Sequence, residues 1–200
     1  MPRMNDLNRP AAFALVCQYT ASDSLRKHML AVEAAMRAYA RRFAAAGEDT
    51  DEEKWGIVGL LHDFDYERWP NPPDHPLVGA KILAELGYPE DVIYAIKSHA
   101  DYLTDCPRVS LMDKALYACD ELAGLITATA RLRPEKIAGL AAASVMKKFR
   151  QKSFAAAINR DDIVRGAKDL GVALEEHVQF EIDAMAEVAA ELGLASGGTA

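Results

Sequence analysis

A run of small and apolar residues, Trp55-Gly56-Ile57-Val58-Gly59-Leu60-Leu61, leads straight into His62-Asp63 and then into a polar segment broken by Pro70, Pro72 and Pro73. Trp55, Val58, Leu61 and His62 fall on helical spacing, which predicts a helix ending at the His-Asp pair. A helix that is apolar on every side must lie inside a core. An imidazole and a carboxylate at its buried end are costly unless both find partners, and a metal ion is one such partner. The dipeptide alone is common, and its bland reading is a helix C-terminus with a locally paired histidine.

The remaining composition narrows the classes. Half of the 200 residues are hydrophobic, which suffices for one domain with a sizeable core. The net charge of −7 argues against a nucleic-acid duplex as partner. Cys17, Cys106 and Cys119 are scattered without CxxC pairing, as suits a reducing compartment. No apolar run approaches the ~20 residues of a membrane span. Met1-Pro2-Arg3-Met4-Asn5-Asp6 lacks a leader's apolar segment, so a cytoplasmic location is expected.

Periodicity and punctuation predict an all-α chain forming one compact domain over 1–200. The first helix is expected at about 9–20, with Phe13, Val16 and Cys17 inward. A second, about 23–46, carries Leu25, Met29, Val32, Met36, Tyr39 and Phe43 as a buried stripe, with His28 at its edge. A fourth helix starts at Asp74 and Pro76 and stops at Gly87. Its first turn holds His75, and Gly79 on the same face would let another backbone approach. Pro89 opens a fifth helix that turns His99 inward with Val92 and Ile96. Ser110 and Asp113 form a capping-box signature for a sixth, on which Asp120 interrupts an apolar stripe. Helical stretches at about 135–149, 160–170 and 173–192 complete the chain, and 195–200 reads as a frayed tail.

Four of the five histidines lie between positions 28 and 99, each at a helix end or an inward position. With Asp63 and Asp120 they make the ordered set His28, His62-Asp63, His75, His99, Asp120. Several helices that bring His and Asp to one point is how helical proteins build metal sites. Imidazole and carboxylate without thiolate suit a divalent transition metal: Mn, Fe, Co, Ni or Zn. Six ligands suffice for one or two ions.

The order H…HD…D, carried by His28, His62-Asp63 and Asp120, resembles the HD-domain superfamily of metal-dependent phosphohydrolases. The stretches GLLHDFDYE, HPLVGAKILAELGYP and IKSHA, between Gly59 and Ala100, resemble its HDIG branch, and the likeness covers about 22–125. The resemblance implies an all-α bundle. It also implies a first metal held by His28, His62, Asp63 and Asp120, and a second held by His75 and His99 with Asp63 bridging. Asp65 stands where HDIG has glycine, Tyr66 where a lysine is found, and His99-Ala100 where the cyclic-di-nucleotide phosphodiesterases often carry paired histidines. These departures argue against cyclic-di-nucleotide cleavage.

The expected activity is hydrolysis of a phosphate ester, a nucleotide among the candidates, by a metal-activated water. Asp63 is the central catalytic residue, with Asp65 and Glu67 as candidates for a general base or water-orienting acid. A solvated loop acid is the alternative for both. Arg68 and Lys97 are candidates to meet phosphate. Residues 131–165 hold nine cations against three acids, a net +6 in a chain of −7. Within that island Lys147 and Arg150 share a helical face and are the candidates for outer phosphates, with Phe149 as buried anchor; a solvated face is the alternative. His177, among Glu175, Glu176 and Glu181, reads as a surface residue. A di-iron oxygenase, which the same motif order also resembles, and a non-catalytic metal- or nucleotide-binding sensor are the competing functions. Oligomeric state is left open.

Overall fold

The computed structural model describes residues 8–196. Met1 to Asp6, read above as lacking a leader, and the last four residues of the expected tail, Gly197 to Ala200, lie outside them. Among the described residues the chain is all helix, with no strand. No helix among them is long and apolar enough to cross a membrane. The helices fall into two compact units, Met1–Leu116 and Tyr117–Ala200. The core expected at about 22–125 crosses that boundary.

The first unit holds α1 (Arg9–Tyr19), α2 (Asp23–Ala45), α3 (Glu52–Leu61), α4 (Asp74–Glu85), α5 (Glu90–Ser98) and the start of α6 (Leu111–Ala130). α1, α2, α3 and α6 start at short polar side chains that accept from otherwise unpaired helix N–H groups, whereas α4 and α5 follow Pro73 and Pro89 without a side-chain cap. Asn8 accepts from Ala11 N at 3.0 Å, Ser22 from Leu25 N at 3.3 Å and Asp51 from Lys54 N at 3.0 Å. The capping box at α6 is reciprocal. Asp113 N donates to Ser110 Oγ at 3.1 Å, and Ser110 N donates back to Asp113 Oδ2 at 2.9 Å.

α3 is the central element of this unit, packing against α1, α2 and α5. Every residue from Trp55 to Leu61 is buried. Two glycines make the contact with α2 possible. A Cβ on Gly59 would meet Val32 O at 2.9 Å and Glu33 Cα at 3.0 Å, so here two helix backbones touch. A Cβ on Gly56 would fall 2.4 Å from Arg37 Nε, so this glycine makes room for a side chain instead. α2 is buried on most sides from Met29 to Met36, a broader burial than the single stripe expected.

That broad burial takes Glu33 inside, only 3 % exposed. Its carboxylate accepts from Arg9 Nε at 2.7 Å and from Arg37 Nε at 2.9 Å. Arg37 Nη1 reaches Glu53 at 2.8 Å, and Glu53 also accepts from Arg9 N at 2.9 Å. The network ties α1, α2 and α3 together by charge-assisted bonds whose direction is specific. On α1 the buried stripe is Ala12, Leu15 and Val16, while Phe13 is half-buried and Cys17 exposed. The buried stripe therefore starts one residue earlier, on the smaller side chain of Ala12.

The second unit continues α6 and adds α7 (Ala142–Phe149), α8 (Arg160–Asp169) and α9 (Leu174–Glu187). α9 packs on α7 and α8 through a face that includes Val178, Ile182 and Met185. Residues 135–141 do not join α7 as expected, because Lys136 (φ 51°) and Gly139 (φ 61°) take left-handed backbone that no α-helix tolerates. α9 likewise stops at Glu187, since Val188 leaves helical geometry at φ −112°. Phe149 is only half-buried, and Val145 with Met146 anchors α7 in its place.

His177 is not a surface residue. It and Glu181, one turn apart on α9, are both fully buried. Nε2 of His177 donates to Ala118 O at 3.0 Å, which explains how an imidazole is accepted there. Burial pushes the Glu181 carboxyl well above the usual carboxylate range; a contact with the Cys119 thiol opposes this and the charge of Asp120 adds to it. The acidic neighbours Glu175 and Glu176 are exposed, so composition alone hid a helix with one polar edge and one buried edge.

Because Gly59 touches the α2 backbone, Gly59→Ala is expected to destabilise the protein by about 1–3 kcal/mol through overpacking. The measurement is the urea midpoint. An unchanged midpoint would mean that α3 is free to shift.

Candidate metal centre

The backbone contact at Gly59 sets the two nearest histidines side by side. His28 lies one turn before Val32 on α2, and His62 follows the last residue of α3. Their rings are 5.2 Å apart at 69°. His75 opens α4 on a non-helical residue (ψ 133°), and His99 follows the last residue of α5. Its ring is 5.4 Å from that of His62 and 5.2 Å from that of His75. His62, His75 and His99 stand at helix ends, where a side chain is not confined to the helix's own flank.

Three of the four imidazoles are oriented from behind. His62 Nδ1 donates to Gly59 O at 2.8 Å, His75 Nδ1 to Asp65 Oδ1 at 2.8 Å, and His99 Nδ1 to Ile96 O. Each of these partners is an acceptor, so Nδ1 carries a proton and Nε2 is the nitrogen turned toward a ligand. All three Nε2 atoms point to one carboxylate. Asp63 Oδ2 lies 3.5 Å from His62 Nε2 and 3.9 Å from His28 Nε2. Asp63 Oδ1 lies 3.3 Å from His75 Nε2 and 3.7 Å from His99 Nε2. His75 and His99 Nε2 are themselves 3.3 Å apart.

The shorter of these separations, 3.3 and 3.5 Å, match those of atoms sharing an ion, and the pairs at 3.7 and 3.9 Å lie a few tenths of an ångström wider. Two ligand atoms each ~2.0–2.2 Å from a common cation stand roughly 3–3.5 Å from one another. Two ligand sets result, His28–His62–Asp63 and Asp63–His75–His99, each with its donor atoms within 4.8 Å of one another. The residues present therefore suit a divalent metal, and His28, His62, Asp63, His75 and His99 are the side chains that would hold it. Nitrogen and oxygen donors without thiolate suit Mn, Fe, Co, Ni or Zn.

A family model described as the HD domain matches residues 25–125. The chain belongs to the HD-domain family. Neither curated proteins nor solved structures gave a match. The HD match contains all four clustered histidines, Asp63 and also Asp120, which stands half-buried on α6 in the second unit.

The other residues singled out from the sequence have different surroundings. Asp65 is not a solvated loop acid: it is fully buried, with one oxygen on His75 and the other accepting from Gly79 N at 2.7 Å. Both oxygens are thus committed to positioning His75. Gly79 serves this purpose and not the approach of a backbone, since a Cβ there would strike the Asp65 carboxyl at 2.7 Å. Glu67 is exposed and accepts from Ser22 N at 2.9 Å, which pins the loop to the start of α2. Arg68 donates to Gln18 O at 2.5 Å and Tyr19 O at 3.1 Å, and its guanidinium stacks 4.5 Å from the Tyr19 ring. It sets its charge against the C-terminal end of α1 while remaining exposed. Lys97 is half-buried on α5, where its charge acts on the Cys106 thiol. Lys147 and Arg150 are exposed residues of the second unit.

Electrostatics in the HD cluster follow from crowding. Burial opposes ionisation of Asp63, but His62, His75, His99 and His28 outweigh it and hold the carboxyl well below its usual range. Burial would lower the His75 pKa, yet bonds to Asp63 and Asp65 raise it from 6.5 to about 9. Without metal His75 is therefore cationic at neutral pH and balances Asp63. Its raised pKa stabilises the metal-free protein fully below pH 6.5, and that contribution is lost as pH rises through about 9.

An ion at His75 must displace that proton, so affinity for the second ion is expected to rise roughly tenfold per pH unit below about pH 9. Calorimetric Mn titration at a series of pH values measures this slope; a flat profile contradicts the protonated His75. Asp65→Ala, which frees the ring to rotate, is expected to weaken metal affinity roughly 10–100-fold while the helical content holds. Equal affinity in the variant would show that Asp65 does not orient the ligand.

Proposed function

We propose that this HD-domain protein is a metal-dependent phosphohydrolase that cleaves a small phosphate ester with a metal-activated water. The observation supporting the reading is the convergence of His28, His62, His75 and His99 on the two oxygens of Asp63. Bound there, divalent ions supply Lewis acidity and a water acidified toward neutral pH. The chain's own contribution is preorganisation. Gly59 O, Ile96 O and Asp65 hold the protons of three imidazoles on the far nitrogen, so no ligand has to reorient when the site loads. Asp63 stays ionised over the whole working range because its surroundings favour the anion.

Asp120 is proposed as the remaining ligand of the first ion, on the sequence pattern of the family. An HDIG-type affiliation rests on the same stretches, with Asp65 in the glycine position as its main departure. Lys147 and Arg150 are proposed to meet the outer oxygens of the substrate. An anionic substrate would favour a basic segment in an otherwise acidic chain. Asp65 and Glu67, tied to His75 and to α2, act in this proposal as positioning residues, and no side-chain general base is required beyond the acidified water.

Protein purified without chelator is expected to contain one to two transition-metal ions per chain, and Asp63→Ala to retain few of them. With Mn, Co or Ni and without oxygen, it is expected to release phosphate or nitrophenol from a nitrophenyl ester. A requirement for Fe and dioxygen with no ester cleavage would replace this reading by an oxygenase. Metal binding with neither activity across a nucleotide panel would leave a sensor.

A further inference from the structure

Two exposed tyrosines stand over His75. Tyr66 is 42 % and Tyr102 is 44 % exposed, which is high for side chains touching a buried ligand. The Tyr66 ring meets the His75 ring at 5.2 Å and 88°, an edge contact that leaves ring surface open. Tyr102 donates its hydroxyl to His75 O. Burial raises the Tyr102 pKa first, and the charges of Asp65, Asp63 and Tyr66 add to it, which places that hydroxyl beside the same cluster.

Neither ring hangs on a loose loop. Tyr66 N donates to Asp63 O at 3.0 Å, and the next two residues tie the loop to α2 and α1 through Glu67 and Arg68. The Tyr102 segment is held by Arg108, which donates to Asp101 at 2.6 Å and to Ser98 O at 3.3 Å. Rigid, exposed aromatic surface beside a reaction centre loses little entropy when a ligand covers it. The exposed chemistry above His75 is aromatic, with the carboxylates of Asp63 and Asp65 nearby. Arg68, the cation nearest in sequence to Tyr66, is turned to α1. Such surroundings favour a flat, uncharged group, because every planar ring offers a π-face for stacking.

We propose that Tyr66 and Tyr102 are specificity-determining residues that receive the esterified group of the substrate, selecting a planar ring over an alkyl one. The proposal rests on the phosphohydrolase reading only in calling the ligand an ester; the recognition surface is independent of turnover. The ring belongs to a nucleoside or to an aryl group, and both offer the same stacking face.

Binding to the metal-free full-length protein tests this apart from catalysis. Calorimetric titrations would compare adenosine monophosphate, phenyl phosphate and glycerol phosphate. The two ring-bearing esters are expected to bind at least roughly tenfold tighter than glycerol phosphate, within the range of one base–aromatic stack. Tyr66→Ala should bring that ratio close to one with metal content unchanged, and Tyr66→Phe should restore it. Tyr66→Leu, which keeps the bulk without the ring, and Tyr102→Ala serve if Tyr66→Ala does not fold. A further gain for adenosine monophosphate over phenyl phosphate assigns the ring to a nucleoside; equal binding assigns it to aryl groups generally. A wild-type ratio near one, or a ratio that survives the ring-removing variants, overturns the proposal. Ester hydrolysis without ring preference refutes it while leaving the phosphohydrolase reading intact; ring preference without hydrolysis does the reverse.

Discussion

The first unit depends on how one carboxylate is accommodated. Asp63 sits among four imidazoles with its side chain only 15 % exposed, where an isolated anion would be strongly disfavoured. Its two oxygens face different histidine pairs, so the group has a charge partner on either side. Without metal the partner is the proton on His75; with metal it is the ion. Either way the negative charge is balanced in place, and three helix ends and the second turn of α2 are drawn to one point.

Bringing them there is a matter of backbone contact. α3 can bear a His-Asp pair at its end beside His28 only because Gly59 lets it lie directly on Val32 and Glu33 of α2. The Glu33–Arg9–Arg37–Glu53 network fixes the same three helices by directional bonds. Exposed ion pairs contribute little to stability, whereas a buried carboxylate with two guanidinium partners is costly to misalign. Register between α2 and α3, and hence the separation of His28 from His62, is specified by both devices at once.

Orientation of the ligands comes from two kinds of bond. His62 and His99 each donate to the carbonyl three residues earlier, so their tautomers are set by local helix-end geometry. His75 is different, since its orienting partner Asp65 lies ten residues away in a proline-broken loop and is itself held by Gly79 N. The second ligand set is therefore more dependent on tertiary packing than the first. The same loop carries Tyr66, so the residue that orients the ligand and the residue that faces solvent above it alternate along one short stretch.

Much of this was written in the chain. Helix periodicity, the caps at Ser22 and Ser110–Asp113 and the glycine stops predict the all-α architecture, because these signals act within one or two turns. The histidines and Asp63 were recognisable from their order and their inward register, as an ionisable group on an apolar face demands a partner. Other features had no local signal. Glu67 and Arg68, candidates for water orientation and phosphate, gave no local sign of their partners Ser22 N and the α1 carbonyls. Asp65, a candidate base with a solvated loop acid as alternative, is taken inside by the space left at Gly79. His177 and Glu181 sit in an acidic stretch whose composition suggests solvent, and only the packing of α9 shows which edge is covered. Sequence determines which elements form and which side chains need partners, through short-range periodicity and the cost of burial. Which partner each polar group obtains is decided by helices meeting across distances that no local pattern encodes.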